Sequence, residues 1–302
     1  MDTETQLIQQ RIDKLKKIKD LGFNPYPYKF AQKNHASEVL DKFKKAKHEP
    51  SKEQVSLAGR IMTLRLMGKA SFVHIQDESG KIQVYIRQDE IGEKNYELFK
   101  KLDMGDIIGV EGNIFKTKAG EISVWAKEIE LLCKSIRPLP EKWHGLKDTE
   151  IRYRKRYLDL ISNPEVKEIF IKRARLINFL REFLNKKGFL EVETPVMQPI
   201  YGGAAAKPFI SHFNDLKMDV FLRISDELYL KRLIIGGFEK VYEISKDFRN
   251  ESIDSAHNPE FTMLEFYQAY ADYNDMMKLV EELFIEACNS VNGTNKINFK
   301  GH

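Results

Sequence analysis

The stretch from Val241 to Tyr267, VYEISKDFRNESIDSAHNPEFTMLEFY, decides how the second half of the chain is read. Two runs rich in β-branched and aromatic residues, Val241 to Glu251 and Phe261 to Tyr267, flank a polar loop from Ser252 to Asn258. That is the pattern of an antiparallel hairpin. Side chains alternate faces along a strand. Arg249 and Glu251 therefore share one face, Phe261, Glu265 and Tyr267 share a face of the return strand, and His257 sits at the loop end. A guanidinium offers a planar fork to a carboxylate or a phosphate. A phenyl ring offers a stacking surface, and two carboxylates with a phenol suit a cationic group. The set fits a nucleotide held together with a basic small molecule. Spacing alone favours a plainer reading, an amphipathic hairpin with a solvated charged face.

Working outward, 302 residues with many charges of both signs and abundant apolar residues imply a globular protein of about two domains. The net charge is +4, and the first fifty residues already carry it, with eleven Lys/Arg against seven Asp/Glu. A basic N-terminal arm over residues 1–50 suits a polyanion such as RNA, although a solvated basic helix explains such a run more often. Cys133 and Cys288 are far apart and lack metal-ligand spacing, so they read as reduced thiols. No apolar run has the length of a membrane span or the form of a signal peptide. The expectation is a cytoplasmic protein without a membrane partner.

Upstream, Leu7, Ile8, Ile12, Leu15 and Ile18 recur at helical spacing and predict a helix over 3–21, stopped near Gly22. A second helix is expected over 36–47. From Val55 the period changes to two, and turns at Asp77 to Gly80 and Thr117 to Gly120 separate strands, with a helix expected over 93–102. Five strands and one helix over residues 51–135 give the layout of an OB-fold barrel, a fold that commonly binds single-stranded nucleic acid. Val73, Ile75, Ile82, Val84 and Ile86 point inward; Phe72, His74, Gln83 and Tyr85 then face outward. Beside Arg60, Arg65 and Arg87 they form a stacking platform with a cationic rim. Gln83 could read a base edge and Glu121 could accept from an exocyclic amine. Residues 136–163 form a connector whose basic segment, Ile151 to Leu160, could touch RNA backbone or simply be solvated.

From residue 164 onward the sequence predicts a long amphipathic helix capped by Asn163, with Ile169, Phe170, Ala174, Ile177, Leu180 and Leu184 on its buried side. A strand from Phe189 to Pro195 follows, then the Gly202–Gly203 loop, and then strand, helix, Gly-Gly break and strand up to the quoted stretch. FRNE at 248–251, HNPEFT at 257–262 and EFYQAYADY at 265–273 resemble motif 2 of the class II aminoacyl-tRNA synthetases, with wording closest to the lysine-specific class IIb members. Residues 164–195 resemble motif 1, the dimer-forming element of that family, and the barrel resembles its anticodon-binding domain.

The resemblance implies an α+β chain: an OB-fold barrel followed by part of an antiparallel class II catalytic domain over 164–302. It implies activation of L-lysine by ATP and transfer to tRNA(Lys), in a homodimer formed through residues 165–195. Transferred residue by residue, Arg249 bridges the lysine carboxylate and the α-phosphate, as the catalytic residue. Asn250, Glu251, His257, Asn258 and Phe261 contact ATP with it. Gly203, Glu227, Glu265 and Tyr267 join Arg249 around lysine. Arg60, Phe72, His74, Gln83 and Glu121 meet the anticodon, Phe72 stacking on its central base. Mg2+ is implied as well, but the family's acidic ligands precede a third, Gly-rich motif that does not occur here, so no metal ligand is expected in this chain. On that ground the chain looks truncated and is expected to have little ligase activity alone. Departures from the family are Tyr201 for a proline, Ser225-Asp226 for Ala-Pro, Ser252 for glycine and Ala256 for an arginine seen in some members. The alternatives are a non-catalytic RNA-binding or dimerising protein, and a ligase that lysylates protein, against which the barrel counts.

Overall fold

Period-two hydrophobicity between residues 54 and 133 does build a closed barrel. The computed structural model describes residues 3–140, 146–254 and 256–298. They fall into two units, residues 1–163 and 164–302.

In the first unit, α1 (Thr3–Asp20) and α2 (Ala36–Lys42) precede β1 (Gln54–Met67), β2 (Ala70–Gln76) and β3 (Lys81–Arg87). Then come α3 (Gln88–Ile91), α4 (Glu93–Phe99), β4 (Ile107–Lys116), β5 (Ile122–Cys133), α5 (Thr149–Arg154) and α6 (Arg156–Ser162). The strands close in the order β1-β2-β3-β5-β4. Neighbours are antiparallel except β3 and β5. Val73, Ile75, Ile82, Val84 and Ile86 are all buried inside, as the alternation requires. Tyr96, Leu98 and Phe99 of α4 belong to the same core.

The basic N-terminus is not a free arm. Ile18 of α1 is fully buried in the barrel core. Arg11, almost as buried, donates to the carbonyls of Met104, Ser135 and Arg137. Below it the buried Lys134 ammonium lies 2.8 Å from Asp103 and 2.9 Å from Asp106. Two expected helices are shorter than their periodicity suggested. The second ends at Lys42, where Phe43 leaves helical backbone, and the barrel helix ends at Phe99. The expected basic helix over 151–160 is broken at Lys155. The cause is Asp159, a fully buried carboxylate that draws in both Arg152 and Arg156. Those two cations are therefore committed within the protein.

The second unit runs α7 (Glu165–Lys186), β6 (Leu190–Glu191), β7 (Met197–Gln198), β8 (Ile210–Phe213), β9 (Met218–Leu222), α8 (Glu227–Ile235), β10 (Lys240–Phe248), β11 (Glu260–Gln268) and α9 (Tyr273–Asn292). Its sheets have the orders β11-β10-β6 and β7-β9-β8. One face of the first sheet, Tyr242, Ile244, Leu264 and Phe266, packs on Phe183 and Leu184 of α7 and Leu283 of α9. The opposite face carries the polar residues considered below. The expected strand over 189–195 shrinks to Leu190–Glu191, since Glu193 to Pro195 have no strand partner. Asn163 does not cap α7. Its amide bonds Asp159 instead, and Pro164 occupies the N-cap. Ile169, Phe170 and Ala174, expected on the buried side of α7, are exposed, because the apolar packing of the helix on the sheet comes from its C-terminal half, through Phe183 and Leu184.

The first hairpin turn of the barrel hangs on Asp77. Its carboxylate accepts from the Ala36, Ser79 and Gly80 amides and the Ser79 hydroxyl, so it holds the turn and the start of α2 together. Burial raises its pKa, but these hydrogen bonds outweigh burial and hold it below the ordinary carboxylate value. A depressed folded pKa contributes stability above the unfolded pKa, and that stability is lost as pH falls through the folded value. Asp77→Asn is therefore expected to destabilise the barrel by about 1–2 kcal/mol at pH 7. In urea denaturation its deficit against wild type should shrink steadily toward pH 3.

Candidate active site and nucleic-acid face

The hairpin is real but shorter on its first strand than expected. β10 ends at Phe248, opposite Glu260, so Arg249 and Glu251 lie beyond the strand and not on its face. Pairing continues one step further through the Arg249 amide to the Pro259 carbonyl. Asn250 turns away to donate to the Lys207 carbonyl, and Glu251 accepts from the Lys207 amide at 3.2 Å. Both residues therefore pin the 201–208 loop to the hairpin. The Arg249 guanidinium donates to the Ile224 carbonyl at 3.3 and 3.4 Å and sits 5.0 Å from the centre of the Phe261 ring. In the exposed loop, Asp254 accepts from the Ala256 and His257 amides and lies 2.7 Å from the His257 ring. Asn258 is exposed.

A second group forms around Glu265. One oxygen accepts from the Ser225 hydroxyl at 2.6 Å and the Asp226 amide at 3.2 Å; the other accepts from the Tyr267 hydroxyl at 3.1 Å. Burial and then the Glu265 charge push the Tyr267 phenol well above its ordinary pKa, so it remains a donor. Glu227 opens α8 and takes the Lys231 ammonium at 2.7 Å. Gly203 lies against this group in a left-handed conformation at φ 88°; a Cβ there would stand 2.7 Å from the Ser225 hydroxyl and 2.8 Å from the Glu227 Cβ. The structure thus brings Gly203, Glu227, Glu265 and Tyr267 together around Ser225. Arg249 and Phe261 form a neighbouring pair across the Ile224 carbonyl.

Sequence reasoning missed what lies beneath. The alternation that exposes Phe261, Glu265 and Tyr267 also puts Glu243, Ser245 and Asp247 of β10 on that face, with Glu243 directly opposite Glu265. Arg223, itself buried, faces three buried carboxylates: Glu243 at 2.7 Å, Asp226 at 3.1 Å and Asp247 at 3.5 Å. Burial pushes Asp226 up to about 7 and Asp247 up to about 6; Arg223, and Arg249 for Asp247, do not offset it against the neighbouring acids. The available signal was the polar period-two run Glu243, Ser245, Asp247 inside an otherwise apolar strand.

On the barrel, strand register makes two cross-strand rows. One is Arg65, Phe72, Tyr85 and Trp125; the other is Thr63, His74, Gln83 and Ser123. Phe72 and Tyr85 stack at 4.7 Å, and Trp125 meets Tyr85 edge-on at 5.2 Å, so an aromatic platform exists. Gln83, expected to face outward and offer its amide to a base edge, does not. It is buried and its amide is spent on Glu121 and Ser123, both at 2.8 Å. The second Glu121 oxygen faces the His74 ring at 2.8 Å, and the Thr63 hydroxyl meets the other ring nitrogen at 2.7 Å. Arg60 donates to the Gly105 carbonyl, and Arg87 pairs with Asp89 while covering Trp125. Arg65 is the exposed cation of the first row.

Comparison with known proteins places both units. A family model described as "tRNA synthetases class II (D, K and N)" matches residues 148–301, and one described as "OB-fold nucleic acid binding domain" matches residues 55–132. The chain is 58% identical over 296 residues to a lysine–tRNA ligase of Carboxydothermus hydrogenoformans, covering 98% of this chain and 60% of that protein. It is 57% identical to one from Pelotomaculum thermopropionicum, over 98% of this chain and 58% of the relative. A third, from Moorella thermoacetica, is 53% identical over 100% of this chain and 61% of its own length. The chain therefore spans about three fifths of the curated relatives it matches.

The Gly203 contact makes a prediction. Any β-carbon at 203 meets a disfavoured φ and displaces Ser225, whose hydroxyl orients Glu265. Gly203→Ala is expected to destabilise the second unit by roughly 1–2 kcal/mol in thermal unfolding.

Proposed function

The chain belongs to the class II tRNA synthetases of the D, K and N group, and from that premise we propose that it serves lysine–tRNA ligation in the cytoplasm. In this reading it activates L-lysine with ATP and passes the lysyl group to the 3′ end of tRNA(Lys). The observation that carries it is the pairing of Arg249 over Phe261 beside a carboxylate, Glu265, pre-oriented by three donors. That combination offers an anion clamp, a ring and an ammonium receptor side by side.

The lysine carboxylate attacks the α-phosphorus of ATP; the new O–P bond forms as the bond to the β-phosphate oxygen breaks and pyrophosphate leaves. Charge accumulates where carboxylate and phosphate meet, so positioning and neutralisation lower the barrier. Arg249 does both, having donors to spare beyond those given to Ile224. Phe261 offers the ring face not covered by Arg249 to adenine. Asn250 and Glu251 contact the nucleotide, and His257 and Asn258 lie along the phosphates. Gly203 and Glu227 receive the α-amino end; Glu265 and Tyr267 receive the side-chain ammonium, which selects lysine over neutral amino acids. The tRNA hydroxyl then attacks the mixed anhydride and AMP leaves.

The family implies Mg2+ with ATP. Around Arg249 the nearby carboxylates are otherwise engaged, Glu251 by the Lys207 amide and Asp254 by its own loop. They do not form a cation site at the phosphates. The exposed apolar side chains of α7, Ile169, Phe170 and Leu176, fit the proposed homodimer surface over residues 165–195. The Phe72–Tyr85–Trp125 platform, flanked by Arg60, His74, Gln83 and Glu121, fits anticodon stacking. There the fixed Gln83–Glu121–His74 network supports the platform's edge.

The direct test is amino-acid-dependent ATP–pyrophosphate exchange with all twenty amino acids. In a form extended to the length of its relatives, lysine alone should support it and Arg249→Ala should abolish it, while this chain by itself should show little; exchange with another amino acid, or none from the extended form, would overturn the reading. Glu265→Gln should raise KM for lysine by roughly 10- to 100-fold, the value of one charge-assisted contact. On the barrel, Phe72→Ala should weaken tRNA(Lys) binding by about tenfold in a filter assay, as expected for one stacked base.

A further inference from the structure

Beneath the proposed lysine pocket the charges do not balance. Asp226 and Asp247 are fully buried, and Arg223 is shared with Glu243 as well. Two carboxylate oxygens, Asp226 Oδ1 and Asp247 Oδ2, are buried with no hydrogen-bond donor. Arg223 lends Asp226 Oδ1 its charge at 3.1 Å without donating a hydrogen bond to it. Asp226 stands at the N-cap of α8, where an aspartate ordinarily accepts from the helix amides. Here its side chain caps nothing. It turns to the Ser245 hydroxyl of β10, 2.6 Å away. Among the described residues, Asp226, Asp247 and Glu265 are the one group of three whose ligand oxygens all lie within 4.8 Å of one another. Two oxygens on opposite sides of an ion bonded at about 2.4 Å are about 4.8 Å apart, the widest spacing one ion can bridge, and every pair of the three lies within it.

We propose that Asp226, Asp247 and Glu265 ligate one hard divalent cation, of the class of Mn2+, Mg2+ or Ca2+, under the amino-acid end of the pocket. Oxygen-only donors select that class. The cation supplies positive charge beyond what Arg223 and the more distant Arg249 bring, and it fixes the Glu265 carboxylate on the side away from its Ser225 and Tyr267 donors. Asp226 is central, since its Oδ1 is buried without a donor and its side chain turns away from the α8 amides toward β10. This site shares only Glu265 with the proposed lysine pocket.

The test uses Mn2+ as probe on the purified protein, without ATP, lysine or tRNA, following free Mn2+ by electron paramagnetic resonance. Binding should be saturable, and Asp226→Asn and Asp247→Asn should each weaken it by roughly tenfold or more, at least the effect of losing an outer-shell contact. Mn2+ should also raise the thermal midpoint of wild type but not of either variant. Both variants remove a buried charge and keep the side-chain shape, so their metal-free midpoints report whether they fold. Mn2+ binding unaffected by both substitutions, or absent at millimolar Mn2+, overturns the proposal. So does a protein in which the two variants lose lysine binding by calorimetry while wild type never takes Mn2+, because the ammonium is then the occupant. Failure of the ligase reading shows separately, as absence of lysine-dependent exchange from the form extended to the length of its relatives while this chain still binds Mn2+.

Discussion

The second unit depends on one buried guanidinium. Arg223 follows β9 and precedes α8, and its backbone already joins three segments: its amide donates to the Val196 carbonyl, and its own carbonyl accepts from Phe248. Its side chain then donates to the carbonyls of Lys246 and Thr194 and to Glu243. A buried ion pair of this kind is weak evidence for net stability, since desolvation offsets the attraction, but removing one partner strands the others. What the arrangement achieves is registration. It sets the end of β10 against the start of α8, and so sets Arg249 against the Ile224 carbonyl and Ser225 against Glu265.

Pocket geometry follows from that registration rather than from the hairpin alone. β10 and β11 fix which face each side chain takes, but the partners that orient Glu265 come from the turn before α8. The 201–208 loop is bound from the other side, by Asn250 and Glu251 at Lys207, and approaches closely only because residue 203 has no side chain. Three segments distant in sequence meet at one carboxylate. The barrel works differently, since its platform is made wholly by register across adjacent strands. Arg65, Phe72, Tyr85 and Trp125 follow one another across β1, β2, β3 and β5.

That contrast explains what was legible in the sequence. Alternation and turn chemistry are local, so the barrel strands, the inward set Val73 to Ile86 and the outward Phe72 and Tyr85 could be read directly. The hairpin faces of Phe261, Glu265 and Tyr267 were legible for the same reason. Pairing between distant residues was not. Nothing local says that Gln83 is covered by Glu121 and Ser123, or that Asp159 gathers Arg152 and Arg156 and breaks a helix the periodicity supports. The exposure of Ile169 and Phe170 was hidden too, because an amphipathic stripe records that a surface prefers cover without saying what covers it.

Asp226 shows where a resemblance is least able to speak. Read as a family position it is only a departure from proline, and read as a helix start it is an ordinary N-cap. Its physical meaning comes from the strand it faces. Ser245 and Asp247 lie on the pocket face of β10, so a carboxylate at 226 joins a surface that is already acidic and paired chiefly with Arg223. A proline there would leave Arg223 facing two buried acids, Glu243 and Asp247. An aspartate adds a third, and burial resists its ionisation. The extra negative charge has to be met by a proton or a cation, and either one sits directly under Glu265. A substitution outside the motif thereby acts on the residue proposed to choose the substrate.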